Sequence, residues 1–142
     1  EKSYRMWGAD LTREYSILEA GLDRFVQFKK DDFVGKQALL DQKEAGVPQE
    51  FIPLEIDVTD ADAMGSEPVF LSGNSELSGE MVGRATSGCF GHSIGKSLAL
   101  AYVKKEYGEI GTELEVEILG ERRPAQVINE SPCDPGNKKL RA

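Results

Sequence analysis

Gly83-Arg84-Ala85-Thr86-Ser87-Gly88-Cys89 and, ten residues on, Ala99-Leu100-Ala101-Tyr102-Val103 decide how this chain is to be read. They read as two strands packed around a crossing built of glycine, serine and other small residues. Working outward, the apolar period is two over a long stretch. Phe51-Ile52-Pro53-Leu54-Glu55-Ile56-Asp57-Val58 alternates from Leu54 onward, with Leu54, Ile56 and Val58 on one face. Pro53 lacks an amide donor, which predicts an edge strand or a bulge at that point. Pro68–Leu71 reads as a short strand and Ser72-Gly73-Asn74 as its turn, with the next strand from Glu80 to Cys89. The clearest alternation is Glu113-Leu114-Glu115-Val116-Glu117-Ile118, apolar inward and carboxylate outward, before the turn Gly120-Glu121 and a last strand from Arg123 to Ile128. Six short antiparallel strands in about eighty residues favour a small, closed or nearly closed β-barrel over an open sheet.

Upstream the period changes. Ala38, Leu39 and Leu40 cluster on one face of Lys36–Ala45, which ends at the stop signals Gly46 and Pro48. A domain boundary is expected near residue 47: residues 1–47 form an α/β extension carrying one helix, and residues 48–142 form the mainly β domain. The chain begins without methionine inside a charged run, Glu1-Lys2-Ser3-Tyr4-Arg5, and reads as a piece of a longer protein.

Composition excludes several classes of function. A chain of 142 residues buries enough surface to need no disulfide or metal staple. Cys89 and Cys133 sit far apart in unlike contexts, as expected of free thiols in a reducing compartment, the cytoplasm or the mitochondrial matrix. No apolar run is long enough to span a bilayer. The net charge is -8, concentrated in residues 51–80, which hold seven acidic side chains and no lysine or arginine. Such a surface repels phosphate backbones and anionic membranes, so neither nucleic acid nor a membrane is an expected partner.

Two stretches invite functional readings that fail on chemistry. Gly91-His92-Ser93-Ile94-Gly95-Lys96-Ser97 has three residues between its first glycine and Gly-Lys-Ser where a phosphate loop needs four, and Phe90 holds the required glycine position. The alternating strand after it offers no helix N-terminus to an anion. His92, the sole histidine, could pair with Cys89 as a nucleophile, but no third group orients it, and one histidine with two distant cysteines makes no zinc site. His92 is expected on a surface loop. Trp7, the sole tryptophan, lies among polar neighbours, so the local pattern leaves open whether it packs the extension onto the barrel or faces a ligand.

The pair of strands quoted first, taken as one motif, together with Trp7-Gly8-Ala9-Asp10, Leu18-Glu19-Ala20-Gly21-Leu22 and Phe33-Val34-Gly35-Lys36-Gln37-Ala38-Leu39, makes four motifs in one order. That order resembles the C-terminal region of the glycine cleavage T-protein (aminomethyltransferase) family, nearest to the folate-binding half of dimethylglycine and sarcosine dehydrogenases. The resemblance implies that residues 1–47 are the tail of a central folate-binding domain and a linker helix, with the family's C-terminal barrel from residue 48. It implies one-carbon transfer from glycine-derived or N-methyl amine substrates to tetrahydrofolate, with FAD bound outside this chain if the parent is a flavin dehydrogenase. The aspartate that positions the reacting groups in the family lies outside these residues. The resemblance therefore implies no catalytic residue here and no metal, only cavity wall packed against further domains. Trp7 stands where the family commonly has a tyrosine lining the folate cavity. Glu1 corresponds to a glutamate two positions after a folate-contacting arginine. Lys96 matches a basic position implied to face the glutamate tail of folate. A non-catalytic interaction barrel docking a partner on its acidic face, and a folate-dependent demethylase of a sulfur compound, are the alternatives.

Overall fold

The computed structural model describes residues 1–73 and 79–142. Asn74, the last residue of the expected turn after the second strand, lies outside them. Six strands, β1 (Gln49–Ile56), β2 (Pro68–Leu71), β3 (Met81–Gly91), β4 (Lys96–Lys104), β5 (Glu113–Ile118) and β6 (Glu121–Val127), close into an antiparallel barrel in the order β1-β4-β3-β2-β5-β6. The period of two sets its inside. Leu54, Ile56, Val69, Val103, Leu114 and Val116 are each no more than 1 % exposed. On β5, Leu114, Val116 and Ile118 point inward as the alternation predicts, and Glu113, Glu115 and Glu117 line the outer face.

Pro53 is on no edge. It pairs with Leu100 of β4, and its carbonyl accepts the Ile128 amide at 3.1 Å just past the last residue pair of β1 and β6. In a strand the N–H and C=O of one residue point the same way, so the amide Pro53 lacks would face the side where β6 leaves the barrel. Closure is kept because the missing donor falls at the end of that ladder.

Two departures from regular pairing shape β3. Phe70 pairs with Met81 while Val69 pairs with Gly83, and Ala85 pairs with Ala101 while Ser87 pairs with Leu100, so Val82 and Thr86 are the extra residues of two bulges. The glycines of this strand are contact points. A Cβ on Gly83 would lie 2.3 Å from the Tyr102 carbonyl oxygen, and one on Gly88 would lie 2.6 Å from the Ala63 carbonyl oxygen.

The extension is built differently. Its helix α1 (Lys36–Ala45) has the expected bounds and buries no residue. Its β content is one isolated parallel bridge between Trp7 and Leu11. Ser16 and Glu19 form a reciprocal capping box around a single helical turn: the Ser16 amide donates to Glu19 Oε2 at 2.8 Å, and the Glu19 amide to Ser16 Oγ at 3.1 Å. The same glutamate ties the turn to the barrel, its carbonyl accepting the Phe51 amide at 3.0 Å and its Oε1 the Gln49 side-chain amide at 3.0 Å.

Candidate functional site: a cleft between extension and barrel

The extension lies on the outer face of β3 and β4, and one buried carboxylate organises the contact. Asp10, 1 % exposed, ends a tight turn in which the Met6 carbonyl accepts the amides of Asp10 and Leu11. Asp10 Oδ2 accepts the Met6 amide at 2.7 Å, and Oδ1 accepts hydroxyls from Thr86 at 2.5 Å and Ser87 at 2.8 Å. Consecutive residues of a regular strand face opposite sides, so these two hydroxyls converge only because Thr86 is bulged. The Asp10 carbonyl accepts the Tyr102 hydroxyl at 2.9 Å. Burial, followed by the neighbouring Tyr15 hydroxyl, pushes the Tyr102 phenol up to about 12. Tyr15 of the extension stacks on Tyr102 with ring centres 3.6 Å apart, and Arg84 donates to the Tyr15 hydroxyl at 3.1 Å.

Beside this joint opens a cleft of about 270 Å³, walled by Tyr4, Met6, Cys89, Leu98 and Ile128, with Asp10 at its inner side and Glu1 among its lining residues. The walls are largely apolar and the lining carries fixed carboxylates, a combination suited to a flat amphipathic ligand. The Glu1 carboxylate accepts the Ser93 amide at 2.5 Å and the Ser93 hydroxyl at 3.1 Å. The Ser93 amide, acting against a smaller cost of burial, holds the Glu1 carboxyl below its usual value. The Gly91–Ser97 loop, rejected as a phosphate loop, thus offers a turn amide to an anion after all, the protein's own glutamate. A Cβ at Gly91 would sit 3.1 Å from Glu1 Cγ, a tight approach where the two segments meet.

The expected site residues do not all converge. Glu1 lines the cleft. Trp7 does not: its ring is 81 % exposed on the outside of the Met6–Leu11 turn, so it does not pin the extension to the barrel. Lys96 lines a different groove, and its ammonium pairs with Glu55 at 2.8 Å. That hydrogen bond and the charge of Glu55, with a smaller contribution from Asp57, raise the Lys96 pKa. His92 is exposed and packs edge-on against Phe90, with ring centres 5.1 Å apart. Asp10, Thr86, Ser87 and Tyr102 were present in the quoted motifs without an assigned role. The available signal is a polar Thr-Ser pair in the middle of a strand of mostly small and apolar residues. Among the described residues, no group of three or more His, Cys, Asp and Glu is placed to hold a metal, and no helix is long and apolar enough to cross a membrane.

The family model of the glycine cleavage T-protein C-terminal barrel domain matches residues 50–134, from the second residue of β1 through the segment after β6. The chain belongs to this family. Its relatives include the mitochondrial dimethylglycine dehydrogenase of Rattus norvegicus, 41% identical over 131 residues, a match covering 92% of this chain and 15% of the relative. An aminomethyltransferase of Thermosynechococcus vestitus is 34% identical over 128 residues, covering 90% of this chain and 33% of that protein. The chain therefore spans about a seventh to a third of the length of these relatives. The crystal structure of glycine cleavage system aminomethyltransferase T from Bartonella henselae superposes with a TM-score of 0.77 at 24% identity, over 90% of this chain and 35% of that one, and so shares the T-protein barrel fold.

Proposed function

We propose that this T-protein barrel chain is the C-terminal part of a tetrahydrofolate-dependent aminomethyltransferase module. Its parent moves a one-carbon unit from a glycine-derived or N-methyl amine substrate to tetrahydrofolate, in the mitochondrial matrix or the bacterial cytoplasm. The observation that carries this reading is the 41% identity to a dimethylglycine dehydrogenase across nearly the whole chain, which favours an N-methyl amine donor and a parent with a flavin-bearing half. The geometry supports it in a limited way: Glu1 lines an apolar cleft, and Trp7 offers an exposed ring within the same turn that Asp10 holds. Lys96 is left out of the proposed folate contacts because Glu55 already neutralises it.

On this reading the chain supplies wall, not reaction centre. Asp10 is engaged by three donors on its carboxylate and Glu1 by two, so neither is free as a general base. On this reading these residues hold the cleft's shape. The test is turnover of an N-methylated amine with tetrahydrofolate, followed as methylene-tetrahydrofolate, by the full-length parent and by this chain alone. The parent is expected to turn over and the isolated chain to be silent. Clear turnover by the isolated chain contradicts the assignment of roles, and a parent inert with every N-methyl amine and with glycine-derived donor contradicts the function.

A further inference from the structure

Past the barrel the chain runs back along residues 1–5. The Ile128 amide still donates to the Pro53 carbonyl of β1, but among the described residues every hydrogen bond or ion pair that residues 130–137 make outside their own segment ends on residues 1–5. The Ser131 amide donates to Ser3 Oγ at 3.1 Å, and the Ser131 hydroxyl to the Lys2 carbonyl at 2.9 Å. The Cys133 amide donates to the Glu1 carbonyl at 3.2 Å, and Glu130 pairs with Arg5 at 2.7 Å. No apolar side chain beyond Val127 is buried. The segment is a strap tied by polar contacts, with no buried apolar anchor.

The tie is strained. Ser3 and Ser131, which bond each other, both lie in the left-handed region, at φ 52° and 55°. That region costs free energy for a residue with a Cβ, and Asn and Asp tolerate it best. Asp134 and Asn137 of the same segment are of the tolerated types, and the two serines are not. Their conformation lasts while the hydrogen bonds around them hold it, so the strap has two states: clasped, or released with the barrel intact.

The strap is also a wall. Ile128 and Pro132 line the cleft together with residues 1–4. At about 270 Å³ the clasped cleft is smaller than the roughly 300–1,000 Å³ of pockets that enclose a drug-sized ligand. The other walls are fixed: Cys89 and Leu98 pair in the β3–β4 ladder, and Asp10 is held by three donors. We propose that residues 129–137 unclasp at Ser3 and Ser131 to widen the cleft for its ligand and then close over it. The ligand is tetrahydrofolate on the function proposed above, and the strap rests on that reading only for this name.

The experiment uses the full-length parent and its Ser3→Ala/Ser131→Ala variant. Hydrogen exchange should show residues 128–137 opening far more often than β4, and the variant should raise that opening about tenfold while β4 keeps its protection, which also shows that the variant is folded. A gate acts on entry and exit alike, so tetrahydrofolate association and release should both quicken about tenfold in the variant, leaving Kd nearly unchanged. Exchange of residues 128–137 as slow as that of β4, exchange indifferent to the variant, or faster release with unchanged association overturns the proposal. The last of these is the mark of a fixed wall that touches the ligand. Failure of the folate reading looks different: a parent that binds no tetrahydrofolate, beside exchange that follows the expectation, removes the ligand's name and leaves the strap.

Discussion

The barrel and the extension are held by different physics. Of the buried apolar side chains, the extension contributes Ala20 alone; the rest lie at residue 52 or beyond. The barrel is a closed ladder around an aliphatic core, stabilised by area removed from water. The extension is fastened from outside by Asp10 to Thr86 and Ser87, Glu19 to Gln49, Arg5 to Glu130 and the Tyr15–Tyr102 stack, contacts that each depend on a few named atoms. A barrel of this kind tolerates changes of residue type so long as period and volume survive. The extension tolerates few changes at its anchor points and many elsewhere. The cleft is formed where the two meet, so its shape depends on the less robust partner.

The contrast can be broken most severely from the barrel side. Val116 is fully buried, and Val116→Asp places an unpaired carboxylate in the core; loss of the cooperative unfolding transition, or aggregation, is expected by circular dichroism. Its neighbour on the outer face, Glu115→Lys, should change stability by less than about 1 kcal/mol. Similar tolerance of both would put the register of β5 in error.

Asp10→Ala comes next. It removes three hydrogen bonds to a carboxylate, from the Met6 amide and from the hydroxyls of the half-buried Thr86 and Ser87, of which Thr86 keeps the Leu100 carbonyl as acceptor, at a cost of about 2–4 kcal/mol. Hydrogen exchange should show residues 1–20 losing protection while β1, β3 and β4 keep theirs. If protection falls equally everywhere, extension and barrel are one cooperative unit and the contrast fails. Tyr102→Phe removes a single hydrogen bond to the Asp10 carbonyl, for about 1 kcal/mol. The phenol's pKa is raised on folding from 10.0 to about 12, so its contribution is whole below pH 10 and is lost as pH rises toward 12. The alkaline limb of the stability profile should therefore flatten in Tyr102→Phe.

The smallest effect sharpens the joint at Glu19. Burial there works to raise the carboxyl pKa, but the Ser16 amide and the Gln49 and Ser16 side chains outweigh it and the net shift is downward from 4.5. A lowered carboxyl stabilises the fold above its unfolded pKa and stops doing so as pH falls through the lowered folded value. Glu19→Gln should thus lessen the acid sensitivity of melting below about pH 4.5; an acid limb identical to the unmodified chain's would show that the capping box carries no ionic contribution.

The same division explains what could be read from sequence. Leu114, Val116 and Ile118, and the ends of α1, were legible because a period or a stop signal is local information. Closure was inferred from strand number and spacing. Pro53 misleads because a missing donor points to a sheet edge or a bulge, and the strand has neither: the end of the ladder with β6 is enough. The Asp10 joint was out of reach: it depends on a bulge that turns Thr86 and Ser87 to one side, and an alternating pattern carries no record of a skipped residue. Lys96 was placed by its alignment with a basic family position, which says nothing of Glu55 across the strand pair.

The proposed function puts the turn held by Asp10 on the wall of the parent's folate cavity, with the exposed Trp7 facing that cavity from outside the cleft described above, and Trp7 tests it most directly. Its ring is exposed, so Trp7→Ala should leave the melting temperature of the full-length parent nearly unchanged while tetrahydrofolate affinity falls by roughly ten- to a hundredfold, the loss of an aromatic platform worth about 1–3 kcal/mol. Trp7→Tyr, which keeps a flat ring with a polar edge, should bind folate nearly as well as the parent. Unchanged affinity in Trp7→Ala, or equal damage from Ala and Tyr, would contradict the claim.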